Sequence, residues 1–559
     1  MKKLYITTPI YYINSEPHIG SVYTTLMADI LNNFNKLNGV ETRFLTGTDE
    51  HGQKIQLSAQ EANLNEIDFA NMMAKKFKDL ADYMNFGYDD FIRTTEDRHK
   101  KFVQNIWRKL VKNNWIYRGS YCGWYCVSDE AYYTEDELIR NSKDEFETSL
   151  GKKVEWREEE SYFFKLSKFQ KILLKLYKET DFIQPSYRKN EVVAFVAGRS
   201  IKELEKDGFV DGYLKDLSIS RNNFSWGIKI PCDEKGEELL DPEGNWAENI
   251  EKEDRHVMYV WLDALFNYQS ALSSVNKMDD FWYNSDVIHI VGKDILRFHA
   301  VYWPSLLIAT EFTEKQLETI AVEDITKKNI LPKVVFAHGW WTNNGKKISK
   351  SLGNAIAIKS EVNWLVNDYG IDEAIAKDYI RYYLSTETTF GSDGDYSRER
   401  LVEKINTELV NNVGNLIQRV STMLFKNFGG QIGDLKINYN EALGEQLTEK
   451  TLNRFDFQEY KNLLLDIASR ANAYMEEKAP WNLKKEGKLD EMLVILKNEL
   501  AEIIKVVALL RPICPAITDK ICTYLSLTID NFDKIYLEQI LENAAIAEPK
   551  IFFPKLVNL

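Results

Sequence analysis

Two short stretches of the chain carry residues suited to phosphate chemistry. The first, Pro17-His18-Ile19-Gly20-Ser21, stands where a strand over residues 4–10 gives way to a helix over residues 17–38. A helix start presents unpaired backbone N–H groups and positive potential, both of which suit a phosphate. His18 can donate a hydrogen bond to phosphate oxygens there, and Gly20 lets a nucleoside approach the backbone. The plainer reading is a capping histidine and a packing glycine. The second stretch, Lys346-Lys347-Ile348-Ser349-Lys350-Ser351, lies far downstream between Gly345 and Gly353. Lysine binds phosphate as a point charge, and a lysine loop closing over phosphates stabilises charge developing between them. A lysine cluster alone reads as a solvated surface loop. In this order, each near a strand end, the two stretches read as halves of one ATP site.

The elements that position them follow from periodicity. Ile19, Val22, Leu26, Ile30 and Phe34 fall near one helix face, with Gly39 as the stop. A strand over 42–45 runs into Thr46-Gly-Thr-Asp-Glu-His-Gly52, which predicts a right-handed parallel βαβ unit. Ligands of such sheets sit beyond the carboxyl ends of the strands, here the loops 11–18 and 46–52. A strand over 91–93 and a helix over 96–113 follow. Residues 117–225 read as an insertion of short, turn-rich strands. The α/β pattern resumes with strands over 257–262, 287–291 and 334–337 and a helix over 295–308. After about 391 amphipathic helices dominate, for example 398–427 and 491–510. The expected fold is α/β: a Rossmann-like parallel-sheet domain (1–116 and 226–325) split by the insertion 117–225, a lysine-loop region 326–390, and an all-α helical bundle 391–559.

A chain of 559 residues exceeds one core, so several domains are required. The net charge of -14 argues against a general nucleic-acid coat and no DNA partner is expected, but a local RNA-binding patch is compatible with it. Five cysteines, an odd number spread along the chain, make no disulfide framework and favour a reducing compartment. The apolar start is broken by Thr7, Thr8 and Pro9 without a cleavage site, and no stretch is long enough to span a membrane. A cytoplasmic location without membrane attachment is expected.

The two stretches resemble the HIGH and KMSKS signatures of the class I aminoacyl-tRNA synthetases. TTPIYY at 7–12, TGTDEHG at 46–52, YVWLDAL at 259–265, VGKDILRFH at 291–299 and APW at 479–481 are similar, in the same order, to segments of the methionyl-tRNA synthetase family. The resemblance covers nearly the whole chain. It implies attack of the L-methionine carboxylate on the α-phosphate of Mg-ATP (ATP with Mg2+), giving methionyl-adenylate. Transfer to the terminal adenosine of tRNA(Met), elongator and initiator, then follows. By that resemblance His18 and Lys350 are the main transition-state contacts, assisted by Lys347, Ser349 and Arg221. It places Tyr12, Gly20, Ser21, Gly292, Asp294 and His338 beside them around ATP. It places Ile10, Asp49, Trp261, Ala264, Leu265, Tyr268, His299 and Trp303 around methionine. Aromatic edges suit a polarisable thioether, and Asp49 can pair with the ammonium group. Without the resemblance Trp261 and Trp303 read as core and His299 as structural. In the helical domain, named by it an anticodon-binding domain, it gives Asn415, Arg419, Pro480 and Trp481 to the CAU anticodon. RNA loops do offer unstacked bases to aromatic faces and polar edges. Otherwise these are a cap, a surface arginine and a buried tryptophan.

The chain departs from the family in three places. Ser21 stands where the signature has its last histidine, so that contact is neutral and shorter. Cys126-Val-Ser-Asp129 stands where many members have a zinc knuckle; Cys122 and Cys126 lack the spacing and partners of a four-ligand site, so no structural zinc is expected. Leu265 stands where other members carry proline. The insertion is too short for the editing domains of the leucine, isoleucine and valine enzymes, and with no appended module a monomer is expected. Two rivals remain: the cysteine enzyme, whose thiolate zinc site has no counterpart here, and a tRNA-binding scaffold that has lost activity.

Overall fold

The computed structural model describes residues 3–127, 131–133, 135–141, 143–149, 151–343, 345–347, 355–437, 443, 454–529, 532 and 539–557. The chain forms two compact units: Lys2–Glu16 with Arg43–Ala337, and Pro17–Thr42 with His338–Leu559.

The first unit is built on a seven-stranded sheet in the order Ile183–Gln184, Val334–His338, Asp286–Gly292, Lys3–Thr7, Glu41–Asp49, Tyr11–Tyr12, with Asp90–Arg93 also paired to Glu41–Asp49. Lys3–Thr7 runs parallel to Asp286–Gly292, and Glu41–Asp49 parallel to Asp90–Arg93. Leu4 to Thr8 are all buried, as a central parallel strand covered on both faces requires. The strands end at Thr7, Asp49 and Gly292, so the residues expected to meet ligands lie where a parallel sheet exposes its carboxyl ends.

Three elements of this unit differ from expectation. Residues 257–262 form a strand only at Val257–Met258, paired with Ser220–Arg221, and then the helix Val260–Leu265. A short apolar run does not distinguish a buried strand from a buried helix. The helix expected over 295–308 is interrupted: a π-helical turn, Phe298–Tyr302, precedes the α-helix Trp303–Glu311. Pro304 lies in the first turn of that helix, where its missing N–H costs nothing. Within 117–225 short strands such as Ala131–Tyr133, Leu138–Arg140 and Phe146–Thr148 are accompanied by two long ones. Ile116–Cys126 and Glu155–Phe164 pair antiparallel along most of their length. Ile183–Gln184 then joins the edge of the parallel sheet through Val335 and Phe336.

The second unit is mostly helical. In Ile19–Leu37 the residues Ile19, Val22, Leu26, Ile30 and Phe34 are buried, and Gly39 adopts φ 71° just past its end, the left-handed stop that glycine takes without strain. Asp29 in this helix and Arg381 in Glu373–Thr386 form a fully buried ion pair at 2.7 Å. Arg381 also donates to the carbonyls of Ile513 and Pro512, so the charge is compensated on several sides. Arg398–Lys404, Ile405–Gly414 and Asn415–Phe428 follow one another without a break, the middle piece being π-helical. The region is not wholly helical as expected: Gln431–Ile437 pairs antiparallel with Gln539–Ala545. Among the described residues no helix is long and apolar enough to cross a membrane.

Candidate active site

The residues of the second unit expected at phosphate centre on the start of helix Ile19–Leu37. His18 is its N-cap, and its Nδ1 accepts the backbone N–H of Gly20 at 3.0 Å. Burial lowers the pKa of His18 from its ordinary 6.5. With Nδ1 occupied as an acceptor, the neutral ring carries its proton on Nε2, which remains the donor. The glycine at position 20 makes this possible, because a Cβ there would come within 2.8 Å of the His18 ring. The helix start offers fewer backbone donors than expected. The Gly20 N–H is used by His18, and the Ile19 N–H donates to Ile356 O at 3.1 Å.

Ser21 completes the cap. Its Oγ accepts the His18 N–H at 3.2 Å and donates to His18 O at 2.8 Å. The hydroxyl thus holds the backbone that carries the imidazole, besides any contact with nucleotide. Ser21→Ala is expected to cost about 1 kcal/mol of stability and to slow methionine-dependent pyrophosphate exchange severalfold by loosening His18. An unchanged exchange rate would show that neither contact matters.

Ile356, the acceptor for Ile19, lies just after the lysine stretch, so both signatures belong to one unit and are tied through backbone. Lys346–Lys347 pairs with Trp341–Asn343 in a hairpin, and Gly345 turns it at φ 70°. Asp395 Oδ1 anchors the turn by accepting from Gly345 N–H and Thr342 Oγ1 at 2.9 and 2.7 Å. Ser349 and Lys350 lie outside the described residues, as does the side chain of Lys347. His338 is buried, with Nε2 2.8 Å from Thr24 Oγ1 and Nδ1 2.7 Å from Gly339 O. Both ring nitrogens are engaged within the fold, which orients this histidine, expected around ATP, from both sides.

In the first unit Ile10, Tyr12, Trp261, Leu265, Tyr268 and Trp303 belong to one apolar cluster, with Ala264 buried nearby in sequence. Tyr268 Oη lies 2.7 Å from His299 Nε2, and His299 Nδ1 lies 3.0 Å from Ile295 O. The carbonyl can only accept, so Nδ1 carries the proton and Tyr268 donates to Nε2. Trp261 stacks on Phe298 at 3.7 Å and meets His299 edge-on at 6.2 Å. Asp49, buried, ends the strand Glu41–Asp49, with Tyr12 beside it in register. Gly292 ends its own strand, and Asp294 stands exposed in the turn that follows. Arg221 is buried over the face of Tyr259 at 4.8 Å.

Burial pushes His299 down to about 4. His299 therefore stays uncharged through neutral pH. Unfolded His299 takes up a proton near 6.5 while the folded ring does not, so its stability contribution is complete above pH 6.5 and is lost as pH falls towards 4. That loss is on the order of 3 kcal/mol. His299→Gln, which hydrogen-bonds without titrating, is expected to lose correspondingly less stability than the parent between pH 7 and pH 4.5 in thermal unfolding. Equal losses would contradict this.

Two groups escaped the sequence reading. His289 lies opposite Thr7 in the parallel register, with Nδ1 2.7 Å from Thr7 Oγ1, while its Nε2 accepts the Trp303 indole N–H at 3.1 Å. Tyr268 stacks on its ring at 4.1 Å. Its signal was positional: His289 shares a strand face with the apolar Val287 and Val291. Asp263 lies buried between His51 Nδ1 at 2.6 Å and His99 Nε2 at 2.7 Å. Burial alone would raise its carboxyl; His51 and His99 more than offset this and hold it below the usual range.

In the helical region Arg419 lies with its guanidinium 5.4 Å from the Trp481 ring and pairs with Glu476 at 2.7 Å. Asn415 is exposed one turn before Arg419 on the same helix. Pro480 is buried at the first position of Pro480–Lys485, after Ala479 at φ 42°. The structure thus brings Arg419 and Trp481 together from two helices. Cys122 is exposed and Cys126 buried, neither joined in a disulfide, and Asp129 lies outside the described residues. Among the described residues no group of three His, Cys, Asp or Glu side chains could hold a metal ion.

The chain belongs to the class I tRNA synthetases (M), whose family model matches residues 4–421. It is 41% identical to the methionine–tRNA ligase of Rickettsia conorii over 99% of both chains. It is 37% identical to that of Thermotoga maritima over 98% of this chain and 78% of the relative. The methionyl-tRNA synthetase of Mycobacterium tuberculosis, solved in complex with methionyl-adenylate, superposes with a TM-score of 0.81 at 32% identity, covering 99% of this chain and all of that one.

Proposed function

We infer that this protein activates L-methionine with ATP to methionyl-adenylate and transfers the methionyl group to tRNA. The observation that carries this reading is His18. It is fixed as a neutral Nε2–H donor at a helix start that is bonded to the segment following the lysine stretch. In activation a methionine carboxylate oxygen attacks the α-phosphorus, the bond to the β-phosphate oxygen breaks, and pyrophosphate leaves. No side chain has to form a covalent bond, so the protein acts by positioning and by charge. His18 donates to the phosphates; Lys347, Lys350 and Ser349 stabilise the charge passing to pyrophosphate; Arg221 assists. Mg2+ enters with ATP. Asp49 pairs with the methionine ammonium. Trp261, Tyr268 and His299 offer the thioether apolar and aromatic surface, with the Tyr268 hydroxyl and the His299 imidazole already satisfied by each other and by Ile295. Asn415, Arg419, Pro480 and Trp481 read the anticodon of both elongator and initiator tRNA(Met).

The test is ATP–pyrophosphate exchange. Exchange is expected with methionine and not with cysteine or leucine, followed by charging of a tRNA with a CAU anticodon. No exchange with any amino acid would favour the tRNA-binding scaffold. A cytoplasmic monomer without structural zinc completes the reading, the turns of residues 138–148 being held by hydrogen bonds such as those of Asn141 and Thr148. Metal analysis of the purified protein is expected to find no stoichiometric zinc; one equivalent would overturn that part.

A further inference from the structure

Arg221 stands at one end of a continuous buried chain of hydrogen bonds. Its Nη1 donates to Ser218 Oγ at 2.8 Å and to Ser220 O at 2.6 Å. Ser218 Oγ lies 2.6 Å from Ser161 Oγ, and Ser161 Oγ lies 3.1 Å from Ser220 O and 3.3 Å from Ser220 Oγ. Ser220 Oγ accepts the Tyr162 N–H at 2.9 Å and lies 3.0 Å from His256 Nδ1. All five side chains are buried, Ser161, Ser220 and His256 completely.

The chain has a direction. A guanidinium only donates, so Ser218 Oγ must accept from it and turn its own proton towards Ser161. Ser161 can pass its proton on to Ser220 Oγ or to the carbonyls of Ser220 and Tyr162 at 3.1 and 3.2 Å, and the Ser220 hydroxyl, which accepts the Tyr162 N–H, needs an acceptor at the far end. Neutral His256 supplies one at Nδ1. Burial lowers its pKa to about 4, so it stays neutral. The proton then sits on Nε2, which has no hydrogen-bond partner among the described residues. An imidazole held with one nitrogen unsatisfied is costly, and the ring's one hydrogen bond among the described residues is to Ser220. A connected, buried polar network of this kind fixes one arrangement.

We propose that His256, acting through Ser220, Ser161 and Ser218, is a positioning residue that fixes the plane of the Arg221 guanidinium for methionine activation. This rests on the reading of Arg221 as an activation residue. Once Ser218 and Ser220 hold Nη1, the stack on Tyr259 leaves the guanidinium a single orientation.

Pyrophosphate exchange and thermal unfolding of His256→Leu, His256→Asn, Ser161→Ala and Arg221→Gln test this. His256→Leu and Ser161→Ala are each expected to lower kcat about tenfold, the scale of a misplaced contact. KM for methionine and ATP should stay within about twofold, as for an interaction made in the transition state. His256→Asn, whose amide oxygen can accept from Ser220, should restore most of the rate. Arg221→Gln should lower kcat further, and His256→Leu should add nothing in that background, which a merely structural role would not produce. Losses that multiply in the double variant, or kcat unchanged in both His256→Leu and Ser161→Ala, would overturn the proposal. If Arg221→Gln itself exchanges normally, the reading of Arg221 fails instead. Should His256→Leu not fold, Ser161→Ala carries the same test.

Discussion

His18→Ala is expected to lower kcat for methionine-dependent pyrophosphate exchange about 10²- to 10³-fold, the usual cost of removing one donor aimed at developing charge. The protein should remain folded. Alanine at an N-cap costs about 1 kcal/mol, against a typical total stability of about 5–15 kcal/mol. The two consequences can be separated because the ring uses its two nitrogens differently. Nδ1 accepts the Gly20 N–H and belongs to the helix; Nε2 carries the proton that the proposed role gives to the phosphates. His18→Asn keeps an acceptor for the Gly20 N–H and should recover the stability while recovering only part of the rate. Burial lowers the His18 pKa from 6.5, so the ring is neutral above that value and exchange should show no titration of this group there. At lower pH a proton on Nδ1 would compete with the Gly20 N–H and disturb the cap. A His18→Ala enzyme within tenfold of the parent would remove the histidine from the phosphate site. It would leave the helix start and the lysine stretch to carry the charge.

The order of strands and helices was legible where one period dominated. Helix Ile19–Leu37 and strand Lys3–Thr7 lie within two or three residues of expectation because a single apolar face or run fixes each. Residues 257–262 were misread because an apolar run around Tyr259 and Trp261 satisfies both periods, and only the turn at Tyr259 decides. The pairing of Gln431–Ile437 with Gln539–Ala545 was invisible for another reason. Its alternation is local, but its partner lies about a hundred residues on, and no local pattern encodes a distant edge. In the site, residue types were legible and their hydrogen-bond assignments were not. Ser21 looked like a short substitute for a phosphate contact, yet its hydroxyl also closes a box on the His18 backbone. His338 was read as a residue near ATP, and its two bonds, to Thr24 and Gly339, could not be read from spacing. His289 was passed over because it lies within a strand, although it takes the Trp303 N–H and supports Tyr268. Each case turns on which atom meets which, and spacing along a chain does not carry that.

Trp481→Ala is expected to lower kcat/KM for charging a CAU tRNA about five- to 150-fold, the equivalent of about 1–3 kcal/mol for one stacked base. Pyrophosphate exchange should be unchanged. The corner that carries Trp481 is set by the backbone. Ala479 closes helix Phe457–Lys478 in the left-handed region at φ 42°, and buried Pro480 opens the next helix with a fixed φ. Trp481 follows at once, half-buried, with the Arg419 guanidinium 5.4 Å from its ring. Arg419 also pairs with Glu476, whose side chain is 64% exposed, and a pair so exposed contributes little to stability. A phosphate or base arriving at Trp481 can therefore take Arg419 from Glu476 at small cost. Arg419→Gln should accordingly weaken charging and flatten its dependence on salt, because one cation fewer meets the RNA. Trp481→Phe, which keeps an aromatic face, should lose less than Trp481→Ala. If both tryptophan variants charge the tRNA like the parent, the corner built by Ala479 and Pro480 serves the helix bundle alone, and the anticodon is read elsewhere.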